Sequence, residues 1–127
     1  MKRVLIDTSV WVEHFRRPND ELIRLLGLDL ALIHPMVLLE LACGTPPAPR
    51  QRTLNDLGLL QHAQQAGWRE VMAFVEREQL YGLGCGLVDL SLLSSTLLTP
   101  GAALWTLDRR LGALATRLGV GHQPALH

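Results

Sequence analysis

Val4-Leu5-Ile6-Asp7-Thr8-Ser9-Val10-Trp11-Val12 is the stretch whose reading decides the fold. Three apolar residues from Val4, placed behind Lys2 and Arg3, read as a short buried strand. Asp7 breaks the run, and Thr8-Ser9 open a helix carrying Val10, Trp11, His14 and Phe15. Ligand sites in open parallel α/β sheets lie beyond the carboxyl ends of the strands. Asp7 stands in that place, so it is either a helix cap or the first member of a site.

Outward from this stretch the same alternation continues. Arg16-Arg17-Pro18 makes a break, Asn19 is a good N-cap, and Leu22, Leu25 and Leu26 follow at helical spacing before Gly27. Leu30 to Ile33 reads as a second buried strand, and Pro35 starts a helix that runs to Cys43. Residues 44–49, with three prolines and a glycine, form a loop. Two surface helices are expected at about 50–63 and at 68–80, the second burying Trp68, Val71, Met72 and Val75. Gly82, Gly84 and Gly86 interrupt the chain before a strongly apolar helix from Leu87 to Leu98. Ala103 to Thr106 is a third strand, Arg109 to Leu118 the last helix, and Val120 to Ala125 a short edge strand.

Strands alternating with helices indicate an α/β fold, with a central parallel sheet covered by helices on both faces. At 127 residues, residues 1–127 are expected to form one domain with a core that needs no disulfide. Cys43 and Cys85 stand apart, in no C-x-x-C pairing. No charged leader with a long apolar run precedes the first strand, and no stretch approaches a membrane span. A cytoplasmic protein without membrane association is expected. Formal net charge is zero, so no global positive field announces nucleic acid. The basic residues are nonetheless eleven arginines and one lysine, a skew that phosphate binding or genomic codon bias would both produce.

The acidic residues are more informative. Asp7 is the only charged residue between Arg3 and Glu13, Glu40 the only one between Asp29 and Arg50, and Asp89 the only one between Glu78 and Asp108. A carboxylate in apolar surroundings without a partner costs several kcal/mol or gives up its charge. Asp7 and Asp108 also suit helix caps, and Glu40 and Asp89 could face water. The helical wheel argues against that for Asp89, which falls opposite Ser91, Ser94 and Ser95, on the side of Leu92, Leu93 and Thr96. Two acids just after strands and two within apolar helices ask for a shared explanation. Clustered carboxylates repel and need a cation or a proton. Oxygen ligands without cysteine or histidine clustering favour Mg²⁺ or Mn²⁺. Hydrolysis of a phosphodiester is the chemistry such a site serves best.

These residues resemble the PIN domains, and among them the VapC toxins of bacterial toxin–antitoxin pairs. The matching pieces are Leu5-Ile6-Asp7-Thr8-Ser9-Val10-Trp11, Leu38-Leu39-Glu40-Leu41-Ala42, Gly86-Leu87-Val88-Asp89 with Leu92-Leu93, and Leu104-Trp105-Thr106-Leu107-Asp108-Arg109-Arg110-Leu111. Each is weak alone, and together, in this order, they span essentially the whole chain. The resemblance implies a Mg²⁺- or Mn²⁺-dependent endoribonuclease, inhibited by a VapB-type antitoxin and forming a homodimer. It makes Asp7, Glu40, Asp89 and Asp108 the metal-binding acids, with Ser9 and Thr106 as polar support.

Other acidic-pocket proteins fit less well. Receiver domains and phosphotransferases want a lysine near the phosphoryl group, and Lys2 precedes the strand. A haloacid-dehalogenase-like phosphatase wants a second Asp where Ser9 stands. The glycines at 82, 84 and 86 lack the third glycine of a dinucleotide loop, whose place Leu87 takes. The serious alternative is a catalytically silent PIN-like module that only binds protein or RNA. His14, His34, His62, His122 and His127 share no metal-ligand spacing and read as ordinary polar positions, with His34 a candidate cap. Arg109 and Arg110 either hold RNA phosphate or cover a helix start.

Overall fold

The strand β1 (Arg3–Ile6) sits inside a four-stranded sheet because Val4, Leu5 and Ile6 tolerate burial on both faces. The computed structural model describes residues 2–124. The other strands are β2 (Ala31–Ile33), β3 (Gln61–His62) and β4 (Ala102–Trp105), in the order β3-β2-β1-β4. All pairings are parallel, with Val4 opposite Ala31 and Ala103, and Ile6 opposite Trp105. Every residue of β2 and β4 is buried, as expected of strands covered on both sides.

Seven helices complete the described residues: α1 (Thr8–Arg16), α2 (Asp20–Gly27), α3 (Pro35–Cys43), α4 (Arg50–Gly58), α5 (Trp68–Glu78), α6 (Leu87–Leu98) and α7 (Arg109–Arg117). From β1 the chain steps outward to β2 and β3, then returns past β1 to lay down β4 on its other side. Right-handed crossovers in opposite directions put helices on both faces. The reversal makes the crevice between the carboxyl ends of β1 and β4 the topological switch point of the sheet. Asp7 follows β1 there, and Asp108 follows β4.

Local chemistry sets the helix starts. Asn19 Oδ1 accepts from the Leu22 amide at 3.0 Å, and Pro35 occupies the first turn of α3. His34, only 4% exposed, caps α3: its Nδ1 accepts from the Met36 amide at 3.0 Å. Nδ1 is therefore the unprotonated nitrogen, and Nε2–H donates to Ser95 Oγ at 3.1 Å. The imidazole thus ties α3 to α6. The serines of α6 do not form a wet face; Ser91, Ser94 and Ser95 are all buried within a helix enclosed from Leu90 to Thr96.

Three expectations need correction. The helix expected to reach residue 63 ends at Gly58, and Gln61–His62 form a strand paired to β2. Both side chains of β3 are exposed, so no apolar run marks it; its backbone is secured by parallel pairing and by the Ala63 amide donating to Ile33 at 3.0 Å. On α5, Trp68 and Met72 are 66% and 61% exposed, and the buried residues are Val71 and Phe74. Phe74 and Val75, three and four residues after Val71, define the face that meets the core. The edge strand expected over Val120 to Ala125 amounts to a single bridge between Leu104 and Gly121, and Ala125 and His127 lie outside the described residues. Among the described residues no helix is long and apolar enough to cross a membrane.

Candidate active site

Asp7 is fixed first by the sheet, its amide donating to the Trp105 carbonyl at 2.9 Å. It occupies the N-cap position of α1, yet its side chain makes no cap hydrogen bond. The carboxylate instead turns towards β4. Ser9 Oγ and Thr106 Oγ1 both donate to Asp7 Oδ2, at 2.6 and 2.8 Å. Each hydroxyl has one proton, and each is itself an acceptor: the Leu107 amide donates to Ser9 Oγ and the Asp108 amide to Thr106 Oγ1, both at 3.0 Å. The amides fix the direction of both hydroxyl bonds, so the pair presents donors to Asp7. Asp7 is only 5% exposed.

The other acids approach from three further elements. Glu40 projects from the exposed side of α3, where Thr8 Oγ1 donates to its Oε1 at 2.5 Å. Thr8 was not among the residues singled out from the sequence; its place directly after Asp7 is the only sign of its role. Asp89 lies in the first turn of α6 and is half-buried. Asp108 caps α7, its Oδ1 accepting from the Leu111 amide at 2.9 Å, so the cap and site readings both apply to it. Burial, and then the negative charges of Asp7, Asp108 and Glu40, push the Asp89 carboxyl above the ordinary Asp range. All four sequence-derived acids therefore share one electrostatic neighbourhood.

Among the described residues none of the four has an ion-pair partner. Nor do three carboxylate, thiol or imidazole groups among them close on one point as a ready-made cage. Mg²⁺ is ordinarily held by one or two carboxylates, with water filling its remaining positions. Asp7 Oδ1, outside the hydroxyl pair, and the Asp89 carboxyl, whose charge is disfavoured by its neighbours, suit that mode.

A cleft of about 510 Å³ runs from Glu40 between α1, α3 and the loop after α3, with Val12, Phe15, Leu41, Pro46 and Pro47 among its walls. Arg109 and Arg110 are exposed on the first turn of α7. The Cys85 thiol, raised in pKa by burial and then by Asp89 and Asp108, is opposed in this by Arg110, so both side chains border the acids.

No family model matches the chain. It is 44% identical over 117 residues to Ribonuclease VapC32 of Mycobacterium tuberculosis (strain CDC 1551 / Oshkosh), covering 92% of this chain and 94% of the relative. The same figures hold for Ribonuclease VapC32 of strain ATCC 25618 / H37Rv. In fold it is similar to a chain of the VapBC-1 structure from nontypeable Haemophilus influenzae, with TM-score 0.68, 12% identity, and 95% and 96% of the two chains covered.

Proposed function

Since the chain belongs to the VapC family of PIN-domain ribonucleases, we propose that it is a Mg²⁺- or Mn²⁺-dependent endoribonuclease and the toxin of a type II toxin–antitoxin pair. The observation that carries the catalytic reading is that Asp7, Glu40 and Asp108 all act on the Asp89 carboxyl beside the switch point of the sheet, with no ion-pair partner for any of the four among the described residues. A divalent ion held by Asp7 and Asp89, with Glu40 and Asp108 completing its surroundings, would supply Lewis-acid activation of water and neutralise charge on the leaving oxygen.

The chain's own groups do the rest. Ser9 and Thr106 hold Asp7 in place through Oδ2 and leave Oδ1 outside the hydroxyl pair. Thr8 restrains Glu40 through Oε1, leaving Oε2 to orient the attacking water. The Leu111 amide holds Asp108 by one oxygen and leaves the other outside the cap. In the cell, a VapB-type antitoxin and a second copy of the chain are the proposed partners, in the cytoplasm.

The test is to incubate the purified protein with total RNA, with Mg²⁺ or with EDTA, and to map new ends. Metal-dependent ends that vanish in Asp7→Asn are expected. RNA binding without any metal-dependent cleavage would sink the enzymatic reading in favour of a binding module.

A further inference from the structure

The turn before α6 carries the glycines that the acid site leaves unexplained. Gly84 has φ +87°, in the left-handed region. A Cβ built on it would stand 2.6 Å from Arg110 Nη1, 2.8 Å from Cδ and 2.9 Å from Cζ. The Arg110 side chain is therefore laid against the bare backbone of this turn, in space that any other residue at position 84 would fill. The Leu83 side chain beside it is exposed.

Arg110 lies two residues after Asp108 and borders the same thiol as Asp89 and Asp108. Despite those acids, no carboxylate lies within ion-pair distance of it among the described residues. It is also exposed. A guanidinium held at the rim of an acidic site by packing, rather than by a salt bridge, keeps its fork of donors for an incoming anion. A planar fork matches a phosphate with two parallel hydrogen bonds. The acids themselves repel a polyanion, so a strand entering this site needs a fixed positive group close by.

We propose that Arg110 binds a backbone phosphate of the RNA strand next to the cleaved bond, and that Gly84 is the positioning residue that gives the guanidinium its seat. This rests on the ribonuclease reading above. It assigns the glycine turn to substrate binding, and it separates Arg110 from Arg109, which has no such seat.

The probe is a labelled single-stranded RNA of random sequence, bound in Mg²⁺ by the chain carrying Asp7→Asn so that it is not cut. Arg110→Ala should weaken binding by about tenfold, the scale of one charge-assisted hydrogen-bonded contact. It should also lower the slope of log K against log salt by about 0.7, the loss of one phosphate contact. Arg110→Lys should restore the slope but only part of the affinity. Arg69→Ala, which removes the same charge from α5, should change neither. With Asp7 intact, Arg110→Ala should raise KM for cleavage while kcat stays within about twofold. Gly84→Ala should weaken binding when Arg110 is present and add little to Arg110→Ala. Unchanged affinity and slope in Arg110→Ala, with cleavage by the parent chain intact, would overturn the phosphate role alone. Equal weakening by Gly84→Ala in both backgrounds would overturn the seat. A parent chain that neither binds nor cuts RNA overturns the ribonuclease reading together with this one.

Discussion

The Thr106 hydroxyl donates to Asp7 Oδ2 across 2.8 Å, joining the residue after β4 to the residue after β1. Ninety-nine positions separate the two in the chain. The bond exists because β1 and β4 are parallel neighbours in register, Ile6 opposite Trp105, so the next residue of each strand emerges at the same edge. Sheet pairing thus builds the site before any metal or substrate is considered. The same Thr106 oxygen takes the Asp108 amide, so one hydroxyl orients a buried acid and anchors the turn that carries an exposed one.

Asp7→Asn should abolish RNA cleavage, by at least about three orders of magnitude, because the charge stabilisation from a correctly held ion is worth several kcal/mol. The amide can still accept from Ser9 and Thr106, so the fold should survive, which circular dichroism and a melt would check. Thr106→Val removes one donor to Asp7 and the acceptor for the Asp108 amide. We expect it to cost about 1–2 kcal/mol of stability and to slow cleavage while Ser9 still holds Asp7. Full activity in Asp7→Asn would mean the site is elsewhere.

Asp89 gives a prediction in pH. Its folded carboxyl binds a proton more tightly than the ordinary value of 3.8, owing to burial and then to Asp7, Asp108 and Glu40. Between 3.8 and that raised value the folded chain holds more protons than the unfolded one, so this group's contribution to stability falls as pH rises through the window. Above the window the penalty is complete. In EDTA, Asp89→Asn should therefore melt higher than the parent at neutral pH, with the advantage closing as pH falls towards the ordinary Asp range. Identical melting of the two proteins at pH 7 would contradict it.

A divalent ion should relieve the same repulsion. Melting temperature should rise with Mn²⁺, and at about 100 times the dissociation constant the gain should approach about 2.7 kcal/mol. Asp7→Asn and Asp89→Asn should each blunt that response, whereas Asp56→Asn, on α4, should leave it unchanged. A response equal in all four proteins would place the ion outside the acid cluster.

His34 carries a prediction of opposite sign. Burial, and then the nearby His62, hold its imidazole below the ordinary histidine range. Below 6.5 the unfolded chain takes up a proton that the folded chain resists, so the His34 contribution is full above that value and is lost as pH falls towards the lowered pKa. Protonation would also remove the Nδ1 acceptor that caps α3. Urea titrations across this range should show stability rising with pH in the parent. His34→Ala should flatten that slope and lower stability at pH 7.5 by about 1 kcal/mol, the cost of a lost cap.

What could be read from the chain follows from where burial leaves a mark on composition. β1, β2 and β4 are legible because strands covered on both faces must be apolar, and Asp7, Glu40 and Asp89 stand out because each interrupts an apolar stretch. β3 is illegible because its two polar side chains lie outward and only its backbone takes part in the sheet. Trp68 misled for the converse reason: a large apolar residue at the start of a helix need not lie on the face its periodicity implies, and Arg69 stacks on its ring at 4.7 Å. The cap at Asp108 was legible in the sequence, because a cap and a site acid ask for the same residue type at the same place. Thr8 and Gly84 escaped because their partners, Glu40 and Arg110, are brought to them only by tertiary folding.

Expression of this chain alone should arrest growth, and the proposed antitoxin should protect the cell. The site offers a physical route for that protection. Four carboxylates without an ion-pair partner among the described residues form a receptor for a guanidinium, the side chain suited to bidentate carboxylate pairing. The cleft of about 510 Å³ beside Glu40 has a partly apolar wall of Val12, Phe15, Leu41, Pro46 and Pro47, and Leu39 next to Glu40 is 60% exposed. An antitoxin segment could lay an apolar helical face along this region and direct an arginine at the acids. The arginine and the divalent ion would then compete for the same oxygens, so the complex should bind Mn²⁺ more weakly than the free protein as well as lose activity. Calorimetric titration of Mn²⁺ into both forms decides between two modes of inhibition. A lower affinity in the complex supports occupation of the acid site; equal affinity would leave steric coverage of the substrate groove as the only mode.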